Sequence, residues 1–260
     1  MTPAQTAGPH PAPTCHVPMP ARLYVRTDCV GWENAITNAF PSERDRAAAL
    51  ACVALVGAGG AGRAVAVALL QQGCAQLLLT DATPRLAEDL AADLRLLGWT
   101  GVAARTQHQL EAVLASCTGA VNASPVGMLG FAVAAHNLSH FPPSVCWVGD
   151  TVYTPRVTPF IALAQRQGLV SVLGESMWLG QAVASFEIMT GTVLDEASRS
   201  EWSQEACRLL VPPAQTGAVA AAAAAIGAGS ARVGDTSSTS TCRCTATGHE
   251  RPDGLIASKL

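Results

Sequence analysis

The sequence has 260 residues, of which 49% are hydrophobic and 13% are charged, so a chain that is disordered throughout is excluded. This length allows one or two domains with a substantial core. The formal net charge of −3 argues against a nucleic-acid-binding surface, which would require clustered lysine and arginine side chains.

Membrane insertion, secretion and metal binding are also not expected. The apolar runs are interrupted by glycine and are too short to cross a bilayer. Residues 1–20 have neither the basic start nor the apolar centre of a secretory signal. The nine cysteines include no CxxC pair, which is typical of reduced, mostly buried thiols in an intracellular protein. Cys242 and Cys244 lie in a polar segment without further ligands, so no metal site is expected there.

The composition divides the chain into four segments. Residues 1–21 are rich in proline, alanine and threonine, and we predict a disordered arm. Residues 22–40 are predicted to form a short strand that leads into a helix. The segment 41–210 is predicted to be one folded domain that ends in a helix, and residues 211–260 form a low-complexity tail that we expect to be disordered.

Strands and helices alternate within the folded segment. Apolar runs predict strands at 51–56, 76–80, 120–123, 146–152 and 169–173. Helices are predicted at 61–72, from Pro84 to Leu97, from Pro159 to Gly168 and at 177–190, each bounded by N-cap residues, prolines or glycines. This alternation predicts an α/β fold with a doubly wound parallel sheet and an appended C-terminal helix.

Glycines recur where the first strand of this series meets its helix, in the pattern Gly57-x-Gly59-x-x-Gly62. The first glycine permits a tight turn, the second lets a pyrophosphate approach bare backbone, and the third allows close packing of helix on strand. Asp81 ends the next strand about twenty residues after Gly62, where a carboxylate accepts hydrogen bonds from the adenosine ribose. The pattern predicts a Rossmann-like dinucleotide site. The alternative is a glycine turn that only packs, with Asp81 capping a helix.

The charge of Asp81 favours NAD as the cofactor, because a carboxylate would repel the 2′-phosphate of NADP. Arg85 follows closely and could soften this preference, so NADP is the alternative cofactor. A Walker-type phosphate loop is excluded, since no Gly-Lys-Ser/Thr follows the glycines.

Further segments accompany the glycine loop along the chain. In order they are Thr27-Asp28-x-x-Gly31-Trp32, the glycine loop, Val121-Asn-Ala-Ser-Pro-Val-Gly-Met128, Trp147-Val-Gly-Asp-Thr-Val-Tyr-Thr-Pro155 and Met177-x-x-x-Gln181 ahead of Gly191. Together these segments resemble the shikimate and quinate dehydrogenases, in particular the NAD-preferring quinate/shikimate branch. The resemblance covers roughly residues 22 to 205, and it implies the family's cofactor-binding part with the substrate domain largely missing.

The resemblance assigns roles to matching positions. Asp28 would correspond to the acid partner of a catalytic lysine, and Tyr153 and Gln181 would reach the substrate. The predicted cofactor-binding residues are Gly57, Gly59, Gly60, Ala61, Gly62, Asp81, Arg85, Asn122, Ser124, Pro125, Gly174 and Met177.

The reaction implied by the resemblance is the reversible oxidation of a ring hydroxyl of shikimate or quinate with NAD(P). A lysine next to a carboxylate would handle the hydroxyl proton. Lys259 is the only lysine and lies in the tail, and only proline-rich residues stand before residue 22. We therefore expect little or no turnover by this chain alone. The alternatives are a non-catalytic NAD(P)-binding module or pseudoenzyme that senses cofactor or docks to a partner, and a truncated chain.

Other residues have simpler interpretations. Asp28 without its lysine is interpreted as an acid at a helix N-terminus. The histidines have no paired metal spacing and are predicted to lie on the surface or in loops: His10, His16, His108, His136, His140 and His249. In the helix 177–190, the face with Met177, Trp178, Phe186, Ile188 and Met189 would be exposed or covered by a partner. A bare apolar face predicts a homo-oligomer, which sedimentation would test.

The last three residues, Ser258, Lys259 and Leu260, match the peroxisomal address that an import receptor reads at the C-terminus. The predicted location is therefore the peroxisome, or the cytosol and the peroxisome together.

Overall fold

The computed structural model of the chain describes residues 22–130 and 135–210. The predicted N-terminal arm, the low-complexity tail and the Ser258-Lys-Leu260 address lie outside these ranges and stay predictions. Among the cysteines described as free thiols, Cys146 is exposed, and the buried ones are Cys29, Cys52, Cys74 and Cys117.

The described residues contain one sheet of six parallel strands. The strands are β1 (Cys52–Val56), β2 (Gln76–Thr80), β3 (Val102–Ala104), β4 (Gly119–Asn122), β5 (Trp147–Asp150) and β6 (Val170–Val172). They are ordered β3-β2-β1-β4-β5-β6, and each neighbouring pair is parallel. The winding direction reverses between β1 and β4, which confirms the predicted doubly wound sheet.

The helices of the described part are α1 (Arg22–Ala39), α2 (Glu43–Ala49), α3 (Gly60–Gln71), α4 (Pro84–Leu96), α5 (Leu110–Leu114), α6 (Pro159–Arg166), α7 (Gly174–Thr190) and α8 (Glu196–Leu210). The predicted helices α3, α4 and α6 are confirmed to within two residues. Helix α7 begins earlier than predicted, at Gly174, and ends at the left-handed Gly191 as expected.

Both faces of the sheet are buried. All five residues of β1 are buried, and they alternate between two clusters of core side chains. Val53 and Leu55 join the cluster that includes residues of α1, α3 and α4, whereas Ala54 and Val56 join the cluster that includes residues of α5 and α6. A parallel strand covered by helices on both sides is apolar at every position, which is why β1 was predictable from its sequence.

The prediction of a short strand within residues 22–40 is wrong, because α1 is helical from Arg22 to Ala39. Cys29, Trp32 and Ile36 are buried, and their spacing is that of one face of a helix. The start of the segment, Leu-Tyr-Val, has strand propensity, but the packing of the helix face overrides that local preference. Helix α1 is therefore an integral layer over the sheet.

Two glycines let α1 and α7 cross with their backbones in contact. A Cβ at Gly180 would lie 2.8 Å from the Cα of Gly31, and a Cβ at Gly31 would lie 2.9 Å from the backbone nitrogen of Gln181. Side chains at either position would push the helices apart. The crossing therefore fixes where residues of α1 stand relative to α7.

The short elements α2, β3 and α5 were not predicted, and neither was helix α8. It packs against the end of α7 through an ion pair between Arg199 and Glu187, with nitrogen and oxygen 2.6 Å apart, and through the rings of Phe186 and Trp202. Within the described ranges, no helix is both long enough and apolar enough to span a membrane. No group of three or more His, Cys, Asp or Glu side chains in those ranges is arranged to hold a metal ion.

Candidate functional site

Several of the predicted site residues lie near the carboxyl ends of β1, β4 and β5. The strand register aligns Val56 with Asn122, and Asn122 with Asp150. Open α/β sheets bind ligands at this edge, where the strand order reverses. A cleft of about 480 Å³ opens there, and its lining includes Ala61, Ser124, Pro125 and Tyr153 of the predicted set.

The turn after β1 requires glycine at its first and last positions. Gly57 has a φ of +104°, and a Cβ there would lie 2.7 Å from the backbone carbonyl of Ala123. A Cβ at Gly62 would overlap the carbonyl oxygen of Gly57, so α3 packs directly onto the turn. These two glycines hold the start of α3 against the ends of β1 and β4.

The middle of the turn is open. A Cβ at Gly59 or at Gly60 would have no atom within 4 Å. Gly59 is the N-cap of α3, and no side chain caps the helix there. The free backbone amides of a helix N-terminus, with no side chain above them, are suited to an anion such as a diphosphate.

Asp81 lies beside this turn. Its Oδ2 accepts a hydrogen bond of 2.7 Å from the amide of Ala58, and its Oδ1 accepts one of 2.8 Å from the amide of Thr83. The carboxylate therefore points toward the glycine turn. Its other oxygen binds the amide of Thr83, which is itself the N-cap residue of α4, so the alternative in which Asp81 caps this helix is wrong. A carboxylate has about four acceptor sites, so it retains capacity for hydroxyl donors of a ligand.

Arg85 lies in the first turn of α4, with 84% of its side chain exposed. Its Nε lies 3.6 Å from a carboxylate oxygen of Asp89, one turn further along the helix. This exposed pair holds the arginine weakly, and the side chain is free to reorient.

Asn122 is fully buried at the end of β4 and organises the loop that follows. Its Nδ2 donates to Oδ1 of Asp150 at 2.9 Å and to the carbonyl oxygen of Val126 at 3.0 Å. Its Oδ1 accepts from the amide of Ser124 at 3.1 Å and from the hydroxyl of Ser124 at 2.6 Å. Asn122 thus shapes the turn at Ser124 and Pro125 that forms one wall of the cleft.

Asp150 was not among the predicted site residues. It is fully buried at the end of β5 and accepts hydrogen bonds from Asn122, from the amide of Val152 and from the hydroxyl of Thr158. Burial raises its pKa to about 7, although these hydrogen bonds favour the carboxylate. An acid that ends a parallel strand is the same sequence signal that identified Asp81, and it could have identified Asp150.

His136 lies in the loop between β4 and β5, in agreement with the prediction of a surface or loop residue, but its side chain is half-buried. It occupies a 3₁₀ turn, Ala135–Asn137, and its Nε2 lies 3.0 Å from Oδ1 of Asn122. Burial lowers its pKa to about 4. We name Asn122, Ser124, His136, Asp150 and Thr158 the Asn122 network. His108 and His140 are exposed as predicted.

We expect Asp150→Asn to change how stability depends on pH. The pKa of Asp150 is raised from 3.8 to about 7 in the folded chain, so its stabilising contribution is full below about pH 4 and is lost as the pH rises to 7. The stability of the wild type relative to the variant should therefore fall by roughly 4 kcal/mol across this range, at about 1.36 kcal/mol per pKa unit. Urea unfolding at several pH values measures this difference, and a constant difference would contradict the prediction.

The pKa of His136 is shifted in the opposite direction to that of Asp150, so the contribution of His136 to stability depends on pH in the opposite sense. This difference supplies a control. Its folded pKa of about 4 lies below the ordinary value of 6.5, so its contribution is present above pH 6.5 and is lost as the pH falls to 4. In His136→Gln, stability should therefore rise less with pH over this interval than in the wild type.

Tyr153 lies at the mouth of the cleft with 40% of its surface exposed. Its ring stacks on that of Trp178 in α7, with the centroids 5.8 Å apart. Near it, Arg156 forms a bidentate ion pair with the buried Glu175, with distances of 2.6 and 2.7 Å. The loop that carries Tyr153 is therefore fastened to the start of α7.

The remaining predicted residues lie on α1 and α7. Asp28 is the seventh residue of α1, so its interpretation as an acid at the helix N-terminus is wrong. It lies one turn before Gly31, which contacts the backbone at Gln181, and partial burial raises its pKa. A Cβ at Gly174 would lie 2.7 Å from the carbonyl oxygen of Thr151, and Met177 is buried in the core.

Sequence comparison finds relatives named as shikimate or quinate/shikimate dehydrogenases. The chain is 34% identical over 166 residues to a quinate/shikimate dehydrogenase (NAD(+)) of Corynebacterium efficiens, which covers 64% of this chain and 56% of the relative. It is 36% identical over 171 residues to a shikimate dehydrogenase (NADP(+)) of an Arthrobacter species, covering 65% of this chain and 56% of the relative. No protein-family model matches the chain.

A solved structure supports the same relationship. The quinate dehydrogenase from Corynebacterium glutamicum in complex with NAD superimposes with a TM-score of 0.58 and 31% sequence identity, covering 68% of this chain and 60% of that one. The chain spans between half and two thirds of the length of the relatives it matches. Through the matched segment, the chain is similar in sequence and in fold to the shikimate and quinate dehydrogenases.

Proposed function

We propose that the cleft binds NAD(H), with NADP(H) as the weaker ligand, and that the chain is an oxidoreductase module of the shikimate/quinate dehydrogenase type. The observation that supports this best is the position of Asp81, whose carboxylate contacts the amide of Ala58 inside the glycine turn. The backbone amides that would bind the diphosphate and the carboxylate that would accept from the ribose therefore lie side by side.

The residues present fit such a cofactor. The space above Gly59 and Gly60 would receive the diphosphate, because no protein atom lies within 4 Å of a Cβ placed there. Asp81 would accept hydrogen bonds from the ribose hydroxyls, and its charge would disfavour a 2′-phosphate. The turn at Ser124 and Pro125 would form the wall of the cleft. When bound, the nicotinamide supplies hydride acceptance and donation.

We propose a shikimate- or quinate-like polyol acid as the substrate class. The two relatives named above are dehydrogenases of shikimate or of quinate and shikimate. Tyr153 at the mouth of the cleft and Gln181 on α7 would donate hydrogen bonds to hydroxyl or carboxylate groups of such a ligand. Asp28 would face the same region, since α1 crosses α7 beside Gln181.

Proton transfer from the substrate lacks the lysine that the resemblance implies. Oxidation of an alcohol requires a group that accepts the hydroxyl proton. Lys259 is the only lysine of the sequence and lies outside the described ranges, so no lysine within those ranges can pair with Asp28. We therefore propose that this chain binds the cofactor with little turnover. This observation also favours the second candidate function, a non-catalytic NAD(P)-binding module.

We expect Asp81→Asn to weaken NADH binding about tenfold, the equivalent of one charged hydrogen bond, while NADPH binding is retained or improved. Fluorescence titration of the purified chain with NADH and NADPH measures both affinities. Asp45→Asn removes an equal charge from an exposed position on α2 and should change neither. Unchanged NADH affinity in Asp81→Asn would overturn the proposed ribose contact.

Activity assays separate the two candidate functions. Oxidation of shikimate and quinate is followed with NAD and with NADP. Cofactor binding without turnover supports the non-catalytic module, whereas turnover comparable to that of a complete dehydrogenase would show that another group replaces the lysine. Failure to bind either cofactor would exclude both functions.

A further inference from the structure

His136 makes a hydrogen bond whose direction can be deduced. Oδ1 of Asn122 already accepts from the backbone amide of Ser124, which can only donate. The other atom of the same side-chain amide, Nδ2, faces the carbonyl oxygen of Val126 and a carboxylate oxygen of Asp150, which are both acceptors. The amide orientation is therefore determined, and Nε2 of His136 must carry a proton and donate to Oδ1.

The backbone at His136 is strained. Its φ is +51° and that of the following Asn137 is +61°, so two consecutive residues occupy the left-handed region. Non-glycine residues adopt this conformation in only a few per cent of cases, although asparagine and histidine are among the types enriched there. Such strain persists where the surrounding structure imposes it, and it is often found at functional sites.

The ring of His136 is fixed by its neighbours. It makes an edge contact with Phe160 of α6, with ring centroids 5.6 Å apart. Its Nδ1 is buried and has no hydrogen-bond partner among the described residues. An unsatisfied nitrogen is tolerated more easily as an acceptor than as a buried N–H donor, which is consistent with a neutral ring protonated on Nε2.

We propose that His136 is a positioning residue of the cofactor cleft: its Nε2–H holds the Asn122 amide, and through it the Ser124–Pro125 turn that walls the cleft. This role rests on the proposed binding of NAD(H). The function of His136 lies in the donated hydrogen bond, and the packing of its ring on Phe160 is secondary.

Two substitutions separate the hydrogen bond from the packing. His136→Gln keeps an amide donor at a similar reach, whereas His136→Phe keeps a ring on Phe160 and removes the donor. We expect His136→Gln to bind NADH within about twofold of wild type and His136→Phe about tenfold more weakly, which corresponds to one lost hydrogen bond. His140→Gln, at an exposed position of the same segment, should match wild type.

A spectroscopic measurement tests the proposal without the cofactor. Nitrogen-15 chemical shifts of the histidine rings distinguish the two neutral tautomers, and the signal absent from the His136→Gln spectrum belongs to His136. We expect a neutral ring protonated on Nε2 at pH 7. Thermal unfolding of each variant shows whether it is folded.

The outcomes are distinguishable. Absence of NADH binding by the unaltered chain would overturn the proposed function and the role in the cleft together. A ring protonated on Nδ1, or equal NADH affinities of the Gln and Phe variants, would overturn the role of His136 alone. Loss of affinity only in His136→Gln would show that ring packing is what matters.

Discussion

Replacing Gly59 with aspartate should abolish NADH binding while the chain stays folded. A Cβ at this position meets no atom within 4 Å, and the backbone has φ −73° and ψ −161°, which any residue can adopt. Gly59 is the N-cap of α3, where aspartate is a preferred residue, so we expect stability to be unchanged or to rise by a few tenths of a kcal/mol.

The same carboxylate would stand in the space proposed for the diphosphate. It would cap the amides that the ligand needs and would repel the ligand's charge, so we expect NADH affinity to fall about a hundredfold or more, roughly 3 kcal/mol. Fluorescence titration and urea unfolding measure the two effects on one sample. Gly59→Asn, of similar size but uncharged, should lose less affinity. A folded Gly59→Asp variant that binds NADH normally would place the cofactor elsewhere.

Replacing Trp32 with alanine should have the largest effect on stability. Trp32 is fully buried in α1, and its ring packs against Gly149 of β5, where a Cβ would lie 2.7 Å from the ring. Removing a buried tryptophan leaves a cavity, and we expect the free energy of unfolding to fall by about 3–5 kcal/mol. Its indole nitrogen has no partner among the described residues, so no orphaned acceptor adds to this cost.

Urea denaturation measures this loss, and a second tryptophan supplies the control. Trp202 lies on α8 with 43% of its surface exposed, so Trp202→Ala should cost about 1 kcal/mol or less. Equal losses in the two variants would mean that α1 is not an integral layer over the sheet. The folded domain would then begin after residue 40, as predicted from the sequence, and α1 would not be part of its core.

The dinucleotide fold was predictable because its determinants are local. The apolar run of β1, the glycines that follow it and the acid after β2 lie within 30 consecutive residues, 52–81. Helices α4 and α6 begin with proline after an N-cap threonine, and their starts are readable for the same reason. Such signals depend on backbone conformation near one position and need no distant partner.

The Asn122 network could not be derived in this way. Asn122 and Asp150 are adjacent only because β4 and β5 pair in register, and His136 reaches Asn122 from a turn between these strands. The loop position of His136 was predicted but its burial was not, because a lone histidine in a loop carries no sequence pattern that reports its burial. The prediction of a strand at the start of residues 22–40 was wrong for a similar reason. The contacts with α3 and α7 that stabilise this segment as a helix involve residues far away in the sequence.

The sequence by itself determined the alternation of strands and helices around the glycine turn, the turn itself and the identity of the acid beside it, because hydrophobic period and turn chemistry act over a few residues. Only the tertiary structure decided which polar groups are buried together. Strand register and the turn between β4 and β5 bring Asn122, Asp150 and His136 into one hydrogen-bond network, and burial then shifts the pKa values of Asp150 and His136.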